Sequence, residues 1–398
     1  MKKKLYIIGA GTGTEDFLTE KGLKLIKSCN VVYSICRRLS QQFINIRKDI
    51  IESSVSEIQQ EIMYCKSEAI GVLVSGDTGF FSITKIFLNS LSSYREVNVI
   101  CGISSLQYFC SKIGISYENL KTVSLHGRDD TILGAVSYNQ KVFVLTGGNN
   151  KANQICRRLV DNGLGFVTVT VGENLSMPNE NIMKGSPEEL SKYFFEDLTV
   201  MLIENKNFVR HYLPLKDEDF IRGAVPMTKE EVRCVTLSKL AVEPCDVIYD
   251  IGAGTGSVAI EMARKAYEGC VYAIEQNEEG IDLINKNRER LGGYNVSVIH
   301  GEAPDALEIL PKPDKAFLGG SSGKVGKIVD LLIDKNPKIR LVVNAITLET
   351  LNEAVSVFEK HGLRTDVVCL NVANSKKVGG YHLMNANNPV YIITAGSV

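Results

Sequence analysis

Short runs of apolar, mostly β-branched residues recur along the whole of this chain, each followed by a longer segment with helical spacing. In the first half the runs are Leu5–Ile8, Val31–Tyr33, Gly71–Ser75, Val97–Cys101, Val142–Thr146 and Phe166–Val171. In the second they are Val247–Ile251, Cys270–Ile274, Val296–Ile299, Lys315–Leu318, Ile339–Asn344, Thr365–Leu370 and Pro389–Thr394. A strand with one wet face alternates apolar and polar residues; a run that is apolar at successive positions needs cover on both faces. The pattern predicts an α/β fold with parallel or mixed sheets between helical layers. At about 150 residues per domain, the 398 residues suffice for two such units.

The boundary is expected between Asn205 and Arg222. Leu198–Glu204 reads as a short buried strand, and His211-Tyr212-Leu213-Pro214 with Lys216-Asp217-Glu218-Asp219 has the composition of a linker. This places a first domain at 1–208, a linker at 209–221 and a second domain at 222–398. The second opens on Thr228 and Glu231, spaced as a capping box at a helix start.

Charge narrows the function. Lys and Arg number 45 against 46 Asp and Glu, a net charge of −1. A protein that wraps nucleic acid needs a basic excess to displace condensed counterions, so polynucleotide binding is not expected. The ten cysteines form no CxxC pair and no Cys/His cluster with zinc spacing, which predicts no metal site and a reducing compartment. The apolar run after Met1–Lys4 ends at Gly9, too short for a signal peptide, and nothing approaches the ~20 residues of a membrane span. A cytoplasmic chain without membrane partners is expected.

Gly-Ala-Gly-Thr-Gly occurs twice, at 9–13 and 252–256, each time after an apolar run. The flanks differ. The strand after the second copy ends on Glu275, whereas the strand after the first ends on Ser34, with no acid to hold a ribose. The match reads as two independent ways of bringing backbone close to a ligand, or as chance.

The second copy is the richer. In Asp250 to Gly256 the glycines at 252, 254 and 256 permit a tight turn, and Ser257 stands where a dinucleotide fingerprint wants its next glycine. A nucleoside with a small polar tail fits better than a pyrophosphate. Glu275 is placed to accept from both ribose hydroxyls, and Glu302-Ala303 follows the third strand where an adenine would lie. Together these acids and glycines favour S-adenosylmethionine. Gly319-Gly320-Ser321-Ser322-Gly323 is another loop at the same sheet edge, either a ligand contact or a flexible connector; Thr228 is equally a helix cap or a ligand contact.

On these residues the second half resembles the precorrin methyltransferase family of cobalamin biosynthesis, which methylates C-15 and removes the C-12 acetate carboxyl. The stretches that carry the resemblance are Pro226 to Arg233, Asp250 to Gly256, Tyr272 to Glu275, Gly301 to Pro304 and Phe317 to Ser321. The first half resembles the tetrapyrrole methylases, specifically the C-5 methyltransferases, through Ser75 to Phe80, Gly102 to Gln107, Ser124 to Arg128 and Gly172 to Leu175. In this order the halves resemble the fused C5,15-methyltransferase (decarboxylating) family. Thr12 and Thr78 stand where the family usually has prolines, so these loops lack proline's fixed φ.

The resemblance implies a two-lobed class III tetrapyrrole-methylase fold followed by a Rossmann-like class I methyltransferase fold, with one S-adenosylmethionine per domain and a precorrin or cobalt-precorrin substrate. It implies cofactor contact at Gly76, Asp77, Ser104 and Ser105, although Gly-Asp-Thr-Gly also suits a β-turn. Arg128, with His126, is a natural partner for substrate carboxylates or else a solvated loop charge. His382, in Gly379-Gly380-Tyr381-His382, is a candidate for the substrate site of the second unit. Methyl transfer mainly requires alignment of a ring carbon with an activated methyl, which accounts for the lack of a nucleophile–base constellation; the macrocycle itself can take up the electrons left by decarboxylation. Self-association is also expected. The rival readings are an RNA-type methyltransferase and a cofactor-binding protein whose N-terminal module does not turn over.

Overall fold

A computed structural model describes residues 3–125 and 132–396. The chain forms two compact units. The first takes the chain up to residue 125 with Phe143–Ile155 and Thr168–Ile203, and the second takes 132–142, Cys156–Val167 and the chain from Glu204 onward.

In the first unit β1 (Lys4–Gly9), β2 (Val31–Ser34), β3 (Ile51–Glu52), β4 (Ala69–Val74) and β5 (Glu96–Ile100) form a parallel sheet in the order β3-β2-β4-β1-β5. A second sheet contains β6 (Lys121–Ser124), β7 (Lys141–Leu145), β8 (Thr168–Glu173), β9 (Asn181–Gly185) and β10 (Thr199–Glu204) in the order β6-β7-β10-β8-β9, with β8 and β9 antiparallel. Two buried clusters, one around Leu5, Ile7 and Val72 and one around Ile8, Val32 and Leu73, clothe opposite faces of the parallel sheet. Burial on both faces is why these strands read as continuous apolar runs.

The second unit is built on β11 (Val247–Ile251), β12 (Cys270–Glu275), β13 (Val296–His300), β14 (Lys315–Leu318), β15 (Arg340–Ala345), β16 (Thr365–Leu370) and β19 (Val390–Ala395), with a separate hairpin of β17 (Ala373–Val378) and β18 (Tyr381–Ala386). The order is β13-β12-β11-β14-β15-β19-β16, parallel except for β19, which is antiparallel to both neighbours. Ile248, Ala273 and Phe317 face one core, and Tyr249, Ile251, Ile274 and Leu318 face the other. Strand order reverses at β11, between β12 and β14, and an open α/β sheet binds ligands at the carboxyl ends beside such a point. The expected α/β class and the Rossmann-like second unit are what the structure shows; β3, β6, β9 and the β17–β18 hairpin had no counterpart among the apolar runs.

Residues 209–221 are packed rather than slack. Leu215 and Phe220 join the core of the second unit, and Arg264 donates to the carbonyls of Arg210 and Leu213. The expected capping box at Thr228 is absent. The helix runs Glu230–Leu240 with Lys229 at its N-cap and no side-chain cap. The fully buried Arg233 reaches back instead to the Thr228 and Leu215 carbonyls, to Asp217 Oδ1 at 3.1 Å and to Glu261 Oε1 at 2.6 Å. A buried guanidinium must fill its donors, and filling them fixes the 215–228 segment against the sheet.

Candidate functional site

In the second unit three strand ends are stitched together by backbone hydrogen bonds. The N–H groups of Gly252 and Ala253 donate to the Ile274 carbonyl, and those of Gly319 and Gly320 donate to the Ile251 carbonyl. The stitch requires glycine: at Gly252, φ is +74° and a Cβ would lie 2.6 Å from the Gly320 carbonyl oxygen. Gly254, at φ +56°, faces the Pro226 carbonyl, and Gly256 in a left-handed conformation starts helix Ser257–Lys265.

Glu275 ends β12 and locks this arrangement. Its Oε2 accepts from the Gly254 N–H at 2.8 Å, and its Oε1 accepts from the N–H groups of Gln276 and Asn277, each at 2.9 Å. One carboxylate thus holds the glycine loop to the start of the next connection, and charge-assisted bonds of this kind are about twice as strong as neutral ones.

The result is a cleft of about 300 Å³. Of the residues singled out in the sequence, Gly252, Gly254, Glu275, Glu302, Ala303, Gly319 and Gly320 line it. Its rim is crossed by the ion pair of Lys324 Nζ with Glu302 Oε1 at 2.7 Å and by a 3.4 Å hydrogen bond from Gln276 Nε2 to Ser322 Oγ. Ser321 and Ser322 of the loop 319–323 line it too, and so do Val225, Pro226, Gln276, Asn277 and Ile328, which were not among the candidates. Gln276 and Asn277 directly follow Glu275, so the strand-end rule that found the acid, carried two residues further, would have found them.

Thr228, Asp250 and Gly256 do not line the cleft. Asp250 lies under it on the helix-covered face of β11, paired in register with Ala273 and Phe317. It is fully buried, and neither carboxyl oxygen has a hydrogen-bond partner among the described residues. Burial pushes its pKa up to about 8; the nearby Ala259 N–H opposes this without a well-formed bond, and the Glu275 charge adds to it.

The first unit uses its glycines differently. Gly11 and Gly76 exchange backbone hydrogen bonds of 3.2 and 2.9 Å, and a Cβ on Gly9 would lie 2.6 Å from the Gly102 nitrogen. Asp77 accepts from the Gly102 N–H through Oδ2 and from the Gly79 N–H through Oδ1, clamping the loops after β4 and β5. Ser104 forms a capping box with Gln107 at the start of helix Ser105–Lys112, whose first residue is Ser105. Gly76, Asp77, Ser104 and Ser105 therefore gather at one sheet edge. The hydroxyls of Thr12 and Thr14 in the adjoining loop are buried without a partner among the described residues. His126 and Arg128 lie outside the described residues. His382 is exposed on the β17–β18 hairpin and does not line the cleft.

Residues 219–395 match the precorrin methyltransferase domain family, and residues 4–191 match the tetrapyrrole (corrin/porphyrin) methylases. A probable cobalt-precorrin-6B C(15)-methyltransferase (decarboxylating) of Pyrobaculum calidifontis is 41% identical over 184 residues, 46% of this chain and 94% of its own. A precorrin-6Y C(5,15)-methyltransferase (decarboxylating) of Sinorhizobium is 28% identical over 383 residues, covering 94% of this chain and 92% of its own. A solved precorrin-6Y C5,15-methyltransferase structure from Geobacter metallireducens aligns at 39% identity and a TM-score of 0.44, over 46% of this chain and 97% of that one.

Proposed function

The chain belongs to the precorrin methyltransferases, with a tetrapyrrole methylase unit ahead of that domain, and we propose from this that it is a two-site C-methyltransferase of cobalamin biosynthesis. The N-terminal unit methylates a precorrin or cobalt-precorrin at C-5. The C-terminal unit methylates C-15 and removes the carboxyl of the C-12 acetate. The observation that carries the reading is the convergence of Gly252, Gly254, Glu275, Ala303 and Gly320, from four strand ends, on one cleft.

The cleft suits S-adenosylmethionine on its own chemistry. A Cβ at Gly252 would intrude on the Gly320 backbone, so the floor is bare main chain that a ligand can approach closely. Glu275 holds its carboxylate on the cleft wall, with Oε2 carrying a single backbone N–H and a remaining lone pair for a ribose hydroxyl. Ala303 supplies a small apolar wall, and Glu302 sits at the rim in its pair with Lys324. When bound, S-adenosylmethionine supplies an electrophilic methyl group on a sulfonium. The residues of the chain then have to orient and enclose, which is where most of the rate of such a transfer comes from. In the first unit Gly76, Asp77 and Ser104 form the corresponding edge, and the orphaned hydroxyls of Thr12 and Thr14 offer polar partners to a second molecule of the same cofactor.

Calorimetric titration with S-adenosylhomocysteine tests the reading. Two molecules per chain are expected for the wild type. Gly254→Arg puts a long side chain at a φ of +56° on the cleft wall and should leave one. A wild type that binds none overturns the proposal.

A further inference from the structure

The carboxyl edge of the seven-stranded sheet carries more than the cofactor cleft. β15 and β16 are each antiparallel to β19, so β16 runs parallel to β15 and ends at the same edge as the cleft. From there the chain projects as the β17–β18 hairpin, paired from Ala373↔Ala386 to Val378↔Tyr381. Every residue of both strands is exposed, including Val378, Tyr381 at 78%, Leu383 and Met384 at 67%. An isolated two-stranded hairpin is marginal in water, and apolar side chains gathered on a surface mark a contact face.

The charge on the hairpin has one sign. No Asp or Glu follows Asp366 in the sequence, while Lys376 and Lys377 have no ion-pair or hydrogen-bond partner among the described residues. The cation on the cleft rim, Lys324, is already engaged by Glu302. Among the described residues, a polyanion at this edge therefore finds free cations in Lys376 and Lys377 of the hairpin and in the exposed Lys327 in the first turn of helix Val325–Lys335. The hairpin is also tied to the cleft wall. Asn374 Nδ2 donates to Glu231 Oε1 at 3.1 Å in the first turn of helix Glu230–Leu240, and Val225 and Pro226 just upstream of that helix line the cleft. Beyond β15 on the same edge, Ile346 and Leu348 are exposed as well.

We propose that the β17–β18 hairpin is the substrate platform of the second unit: Val378, Tyr381, Leu383 and Lys376, which the register places on one face, cover a tetrapyrrole and meet its carboxylates, and Lys377 on the opposite face adds to the attraction. The proposal rests on the methyltransferase reading above and adds to it where, beside the cofactor cleft, a flat polycarboxylate is held. Surface ion pairs are individually weak, so the lysines act by summed attraction and the apolar strands by area.

The chain contains no tryptophan, so Tyr381→Trp places a single indole on the hairpin as a reporter. Uroporphyrin III, a tetrapyrrole polycarboxylate, is titrated into this full-length reporter and into the reporter carrying Lys376→Glu and Lys377→Glu. Affinity for S-adenosylhomocysteine is measured alongside as a check on the fold of the cleft. Quenching of the indole is expected to saturate, to weaken with salt and to require at least tenfold more uroporphyrin after charge reversal, with S-adenosylhomocysteine affinity unchanged. Lys376→Gln with Lys377→Gln should fall between. Quenching indifferent to both pairs of changes overturns the platform and leaves the tetrapyrrole reading standing; absorbance showing no uroporphyrin bound anywhere on the chain overturns both. If the hairpin instead seats a second copy, sedimentation shows the charge-reversed chain dissociating while uroporphyrin affinity stays fixed, which also overturns the platform.

Discussion

The same five residues, Gly-Ala-Gly-Thr-Gly, stand at the end of strand β1 and just after β11 and meet different surroundings. At 252–256 the loop leads directly into helix Ser257–Lys265, and its outer surface becomes the wall of a cleft. At 9–13 the loop folds back on protein: Gly11 bridges to Gly76, and a Cβ on Gly11 would lie 2.3 Å from the Phe17 carbonyl oxygen. Both loops hold backbone against backbone, Gly252 on Gly320 and Gly11 on Gly76, and the second loop also turns a surface toward the cleft. A glycine motif thus specifies that something must come close to the main chain, and the surrounding strand ends decide what does.

The strongest way to break this comparison is to add one carbon to each loop. Gly252→Ala and Gly9→Ala each force a Cβ to within 2.6 Å of backbone. Each should cost about 3 kcal/mol or more, because neither partner is a movable side chain. Chemical denaturation reads the loss. S-adenosylhomocysteine titration separates the two, since only Gly252→Ala should remove binding at the C-terminal cleft. If Gly9→Ala removes it too, the loops do not serve separate sites.

The next effect is graded in pH and belongs to the second loop alone. Asp250 has a folded pKa of about 8 against an ordinary value of 3.8. The folded state therefore holds a proton that the unfolded state has lost, and stability should fall as pH rises from about 4 to about 8, by up to about 1.4 kcal/mol per pH unit. Asp250→Asn removes the titration, so the variant should gain on the wild type steadily across that window and stay parallel to it above pH 9. Denaturant midpoints at several pH values measure this, and a gap that does not change with pH would contradict the buried, unpartnered carboxyl.

The smallest effect compares the two carboxylates that clamp the loops. Glu275→Gln sets an amide N–H against at least one backbone N–H now accepted by the carboxylate, and should cost about 2 kcal/mol together with roughly tenfold or more in S-adenosylhomocysteine affinity. Asp77→Asn likewise sets an amide N–H against one of its two backbone N–H partners, should cost about 1 kcal/mol, and should leave the C-terminal cleft's affinity alone. Equal losses of affinity at the C-terminal cleft would erase the distinction between the clamp that walls this cleft and the clamp of the other unit.

Much of the second site was legible because its chemistry lies at strand ends, where position along the sequence gives position on the sheet edge. Gly252, Gly254, Glu275, Glu302, Ala303, Gly319 and Gly320 all follow that rule and all reach the cleft. Thr228 shows the limit of local reading. Its spacing to Glu231 satisfies a capping box, yet the helix starts later, and a guanidinium buried against Asp217 and Glu261 claims the Thr228 carbonyl.

What the sequence by itself determined is the succession of buried strands and the places where main chain must be approached. Both are local properties: burial on two faces demands uninterrupted apolar side chains, and positive φ demands glycine. Tertiary structure alone decided that Asp250 goes under the loop rather than into the cleft, that Glu275 accepts from the Gly254 N–H of the neighbouring loop, and that a basic, apolar hairpin stands at the same edge as the cleft. Each of these depends on partners that meet only once the sheet has assembled, and no spacing along the chain encodes those meetings.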